Sequence, residues 1–76
     1  MKISDSEYLE FYLIEKKPKT NVYGVSSKKH QTLLGTIEWY GNWRCYCFFP
    51  FAQTIFNQQC LNDIILFIDN EANKVH

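Results

Sequence analysis

Residues Leu33 to Pro50, LLGTIEWYGNWRCYCFFP, constrain this chain more than any other stretch. Apolar and polar residues alternate on both sides of Gly41-Asn42, and a period of two is the signature of a strand with one buried face. A Gly-Asn pair between two such runs predicts a β-hairpin with a primed turn, whose positive φ matches the strand twist. With that two-residue loop, Tyr40 pairs with Trp43, Trp39 with Arg44, Ile37 with Tyr46 and Gly35 with Phe48. Cross-strand partners share a face. One face therefore carries Leu33, Gly35, Ile37, Trp39, Arg44, Tyr46 and Phe48. The other carries Leu34, Thr36, Glu38, Tyr40, Trp43, Cys45, Cys47 and Phe49. The first is the better core face. Phe48 can lie over the bare backbone of Gly35, and Arg44 can stack on Trp39 at the rim for about 0.5–1 kcal/mol.

The remaining elements fall around this hairpin. Asn21–Ser27 reads as a shorter strand that leads through Lys28-Lys29-His30-Gln31 into it. Upstream, Leu9, Phe11 and Leu13 alternate with Glu10, Tyr12 and Ile14, and Lys17-Pro18-Lys19-Thr20 follows as a turn. A helix competes for residues 8–16, because Ser4-Asp5-Ser6-Glu7 has capping-box spacing. Aromatic and β-branched content favours the strand. After Pro50 the period changes: Leu61, Ile64, Ile65, Ile68 and Ala72 mark the stripe of an amphipathic helix. Asn57 or Thr54 can cap its start, and Gln58, Asn62, Asp63, Asp69 and Asn70 form its wet side. The expected fold is α+β: a three- to four-stranded antiparallel meander with one C-terminal amphipathic helix packed on the sheet. Strands are expected at about 8–16, 21–27, 32–40 and 43–49, and the helix at about 57–72.

Seventy-six residues are expected to form a single small domain. A chain of that size buries only about 60–65% of the surface it exposes when unfolded, so its core must be dense. A hydrophobic content of 46% and an aromatic content of 17% supply that density and exclude intrinsic disorder. No apolar run approaches the ~20 residues of a membrane span. The opening MKISDSEYLE is too acidic for a signal peptide and has no apolar core segment. Three cysteines suit a reducing compartment better than a disulfide framework. A cytoplasmic protein is expected.

Around the hairpin, Leu34-Gly35-Thr36-Ile37-Glu38-Trp39-Tyr40, then Trp43-Arg44, Tyr46, Phe48 and Pro50, resemble a pattern in short phage and prophage proteins. The likeness continues into Thr54, Phe56, Cys60-Leu61 and Ile64 to Phe67. It covers about half the chain, and Trp-Tyr-x-x-Trp-Arg is its most specific part. The resemblance implies a mobile-element setting, hence a host-cell cytoplasm. It implies no activity, cofactor or catalytic residue.

The residues themselves give little support to catalysis. Cys45-x-Cys47 with Cys60 and a histidine raises the question of zinc, since i and i+2 on a strand point the same way. Structural zinc sites, however, use C-x₂₋₄-C pairs, and His30 and His76 fall in a loop and at a chain end. The thiols are read as small hydrophobes, and a Cys45–Cys47 disulfide would be strained. The glycines are too scattered for a phosphate loop, and there is no HExxH. Asp63 and Asp69 lie too far apart to share a helical turn. No catalytic residue, no metal ligand and no cofactor is expected.

Binding fares better. Net charge is zero, but residues 16–44 hold Lys16, Lys17, Lys19, Lys28, Lys29 and Arg44 against Glu38. A neutral total argues against bulk attraction to nucleic acid, and the basic middle leaves a local patch. In an up-and-down meander alternate turns meet at one end. Lys16, Lys17 and Lys19 should therefore lie near the hairpin tip, with Trp39, Tyr40, Trp43 and Arg44. Basic residues among flat aromatics can stack on single-stranded nucleic acid, and Trp, Tyr and Arg are also the residues of protein-interface hot spots. Two Trp, a Tyr and an Arg within six residues exceed what capping a core needs. A protein partner is the first reading, single-stranded nucleic acid the second and a cysteine metal site the third. Free edges of the first and last strands, or the exposed face, offer a route to a homodimer.

Overall fold

A computed structural model describes residues 1–73; His76, weighed above as a metal ligand, lies outside the described residues. Strands β1 (Lys2–Asp5), β2 (Leu9–Lys16), β3 (Asn21–Ser27), β4 (Leu33–Tyr40) and β5 (Cys45–Pro50) precede helix α1 (Gln58–Phe67). A π-helical turn, Ile68–Ala72, continues α1. The strands form one antiparallel sheet in the order β1-β2-β3-β4-β5, so each strand pairs with its neighbour in the chain.

The fold is the α+β meander with a C-terminal helix, and it has one strand more than expected. β1 escapes a periodicity search because it is four residues long and carries a bulge at Ile3. Charge fastens it instead. Lys2 Nζ reaches Asp5 at 3.1 Å and Glu10 at 3.4 Å, and Lys28 Nζ reaches Asp5 at 3.5 Å. The hydrogen bond from Lys2, helped by the Lys28 charge, holds the Asp5 carboxyl below its ordinary range. Ser6 turns the chain rather than starting a helix: its N–H donates to Leu9 O and its hydroxyl accepts from Leu9 N. Residues Leu9–Lys16 are a strand.

One sheet face builds the core. Leu9 and Phe11 of β2, Tyr23 and Val25 of β3, Ile37 of β4 and Tyr46 of β5 meet Ile64, Phe67 and Ala72. Phe67 is the helix's anchor. Its ring stacks on Phe11 at 4.3 Å and meets Tyr23 edge-on at 5.1 Å. That anchor rotates α1 away from the expected stripe. Ile64 and Ala72 are buried as expected, but Leu61 and Ile65 face solvent. A bulky aromatic with two ring partners gains more by burial than either aliphatic residue. Asn57 caps the helix, its Oδ1 accepting from Cys60 N at 2.8 Å, whereas the Thr54 hydroxyl donates to Phe51 O.

Two irregularities interrupt the ladders, and one of them re-aims side chains. At the Val25/Ser26 irregularity, Leu33 pairs with Ser26 and Gly35 with Val25, leaving Leu34 as the extra residue. Leu34 then turns to the core and Leu33 to the opposite face, the reverse of simple alternation. A second irregularity, between Leu13 and Glu15, falls at Ile14, which lies against Gly24 on the open side that alternation with Leu13 gives it.

Candidate functional site

The hairpin closes two residues later than a Gly41-Asn42 turn requires. Tyr40 pairs with Cys45, Trp39 with Tyr46, Ile37 with Phe48 and Gly35 with Pro50. Gly41, Asn42, Trp43 and Arg44 therefore form a four-residue loop, in which Tyr40 O accepts from Trp43 N at 3.2 Å and Arg44 N at 2.8 Å. No glycine adopts positive φ; Arg44 does, at 57°. Sliding by two residues preserves the two-residue period, so the faces of Ile37, Trp39, Tyr46 and Phe48 are as read while their partners change. Arg44 leaves the strand and takes no place opposite Trp39, which meets Tyr46 edge-on at 5.5 Å. The wider loop also lets the Tyr46 hydroxyl accept from the buried Asn21 N–H at 3.1 Å.

This geometry divides the expected site. Trp39 turns toward the helix side and packs against the core. Tyr40 turns the other way, edge-on to Trp43 at 5.1 Å and to Phe49 at 6.2 Å. The Asn42 amide donates to the Tyr40 hydroxyl at 3.2 Å and steadies that ring. Trp43 is 72% exposed, and Arg44 is exposed beside it. Lys16, Lys17 and Lys19 are exposed where β2 turns into β3, at the same end of the sheet as the β4–β5 loop. Lys28, Lys29 and His30 are exposed at the opposite end, where Lys28 Nζ also donates to Ser6 O.

Beyond the tip lies an apolar surface that the sequence reading did not assemble. The helix covers one sheet face and leaves the other open. Ile14, Leu33 and Phe49 stand there 51%, 40% and 39% exposed. Ile14 and Leu33 converge over Gly24: a Cβ on that glycine would lie 2.7 Å from Ile14 Cδ1 and 3.0 Å from Leu33 Cδ1. Tyr12 borders them, its hydroxyl donating to Glu10 Oε1 at 2.9 Å. That bond raises the pKa of the phenol. Two-sided apolarity in β2, with Tyr12 and Ile14 out of phase with Phe11 and Leu13, was the available signal. Cys45 and Cys47 also face this side, and neither packs in the core.

Across residues spanning 91% of this chain and 90% of the other, the sequence is 31% identical to an uncharacterized 9.3 kDa protein of Acholeplasma phage L2. The chain belongs to this phage protein family. The likeness extends well past the hairpin and helix residues that resemble phage proteins. No family model matches this phage-type chain, and no solved structure matches it. Among its described residues no helix is long and apolar enough to cross a membrane.

A concavity lies between β1 and the helix end. It encloses about 720 Å³ and is walled by Asp5, Asp63, Asp69 and Glu71 over Phe11 and Phe67. Asp63, expected on the wet side, is half-buried, and its Oδ2 is buried without a hydrogen-bond partner. The rotation of α1 that buries Phe67 draws it in.

Proposed function

We infer that this phage-family protein is a non-enzymatic interaction module, binding a protein partner of the host or phage through the hairpin tip and the open sheet face. The observation that carries this reading is the set of exposed apolar side chains on one uncovered surface. Trp43 stands at the tip, 72% exposed; Phe49 follows, in ring contact with Tyr40; Ile14 and Leu33 lie further across the sheet. Exposed apolar surface rimmed by polar groups marks association sites, and aromatic residues with Arg dominate binding energy there. The host cytoplasm is the proposed setting.

Three lysines at the same end favour one second reading, single-stranded nucleic acid stacked on Trp43 and Tyr40. Salt separates the two. Phosphate contacts weaken steeply as salt rises, whereas a desolvated protein interface changes little. Affinity capture from host lysate with the intact protein and with a Trp43→Ala, Arg44→Ala variant tests the site. The intact protein should retain a partner at moderate salt that the variant loses, with both melting at the same temperature. Equal capture by both sinks the tip assignment. Oligonucleotide binding that is present at low salt and lost in the variant would favour the nucleic-acid reading instead.

A further inference from the structure

Cys45 and Cys47 sit on the same side of β5, and their sulfurs are 3.8 Å apart. Both thiols are free; Cys45 is exposed and Cys47 half-buried. The sequence spacing argued against a metal because structural zinc sites use C-x₂₋₄-C pairs. A strand achieves the same convergence with one intervening residue. Two zinc–sulfur bonds of about 2.3 Å at a tetrahedral angle separate the sulfurs by about 3.8 Å, so the pair already stands at the spacing the ion requires.

A direct disulfide fits less well. Positions i and i+2 of an extended strand hold their α-carbons about 6.6–6.8 Å apart, at the far limit of the range for a disulfide. An ion bridges the sulfurs with no movement of the backbone.

One chain supplies only half of a closed site. Among the described residues no group of three or more His, Cys, Asp or Glu is placed to hold a metal. Glu38 stands opposite Cys47 in register, but its carboxylate accepts from the Thr36 hydroxyl at 2.8 Å. Cys60 belongs to the helix, against the other sheet face. The remaining positions take Cys or His, and a second copy brings the same thiol pair. β5 is an edge strand, and CYCFFP carries no charge to repel its own copy. A centre of four thiolates around Zn²⁺ has two excess negative charges. Arg44, exposed and adjacent to Cys45, supplies one positive charge from each chain.

We propose that the Cys45–Cys47 pair binds a tetrahedral, thiophilic divalent cation, Zn²⁺ in kind, and that the same pair from a second copy completes the site and joins two chains. Each thiol releases its proton to water as the ion binds. The joint shares Arg44 and the open sheet face with the proposed partner surface, but metal binding is read without a partner and partner capture without a metal, so either can fail without the other.

The test uses the full reduced chain, free of chelator, titrated with Co²⁺ as an optical probe and then with Zn²⁺ as competitor. A thiolate-to-cobalt absorption band should saturate at one ion per two chains, and Zn²⁺ should displace it. The mass in light scattering should double with either ion and return to the monomer with EDTA. Cys45→Ser and Cys47→Ser should each abolish band and doubling without lowering the metal-free melting temperature, and Cys60→Ser should keep both. A band that persists in both single variants overturns the site. Saturation at one ion per chain with unchanged mass overturns the role of the second copy, and the absence of any band overturns the site itself.

Discussion

At the scale of single residues, two glycines show how differently one atom type can be tolerated. A Cβ on Gly35 would meet Phe49 O at 2.7 Å, Pro50 Cα at 2.9 Å and Phe48 Cε1 at 2.9 Å. Two of these atoms are backbone of the paired strand and can move only by spreading the hairpin. Gly24 is equally crowded, but by the tips of Ile14 and Leu33, flexible and partly exposed. Overpacking costs about 1–3 kcal/mol. Gly35→Ala should fall at the upper end of that range and Gly24→Ala at or below its lower end. Thermal melts of the two variants check the order, since each kcal/mol moves the midpoint of a small domain by about 4–8 °C. Equal losses would mean that the β4–β5 register differs from the one described.

Among elements, the β4–β5 loop is the most revealing. It holds Arg44 at φ 57°, a conformation costing an L side chain roughly 1 kcal/mol more than glycine. Arg44→Gly should therefore raise the midpoint of chemical denaturation by about that free energy while removing a charge from the tip. A destabilised variant would show that the guanidinium has a packing role. This loop also marks where the sequence stops being legible. The hairpin, its core face around Ile37 and Tyr46, the helix and its Asn57 cap were all readable. Period two and period 3.6 survive in the residues, and a polar cap is local chemistry. Register was not, because a slip of two residues leaves the alternation untouched and only ring packing chooses between the alternatives. Helix rotation was not readable either, since Leu61, Ile65 and Phe67 are all apolar and Phe11 decides which turns inward. β1 is only four residues long, pairs with β2 across a bulge and is tied to the distant Lys28 by one ion pair. Of the candidate site, Tyr40, Trp43, Arg44 and the three lysines were legible from composition. Ile14 follows from the alternation in β2, whereas Leu33 depends on a bulge, which no periodicity reports.

In the whole molecule, a sheet with one covered face depends on a single helix to seal it. Phe67 is the ring that joins α1 to both β2 and β3, and truncating a buried phenylalanine costs about 3–5 kcal/mol. A chain of this size holds roughly 4–11 kcal/mol in total. Phe67→Ala should leave a protein that is largely unfolded or melts far below the parent, with dye-accessible apolar surface at room temperature. Near-parental circular dichroism and melting would place the core elsewhere.

The order of the sheet has a kinetic consequence. Because each strand pairs with its immediate neighbour in the chain, most contacts close short loops, and low contact order favours rapid folding. During synthesis from the N-terminus each strand meets a partner as soon as it leaves the ribosome. The helix follows all five strands, and Phe11 waits for Phe67 until they have been made. Until then the growing sheet is apolar on both faces, so the interval before helix docking is when this small protein is most exposed to aggregation.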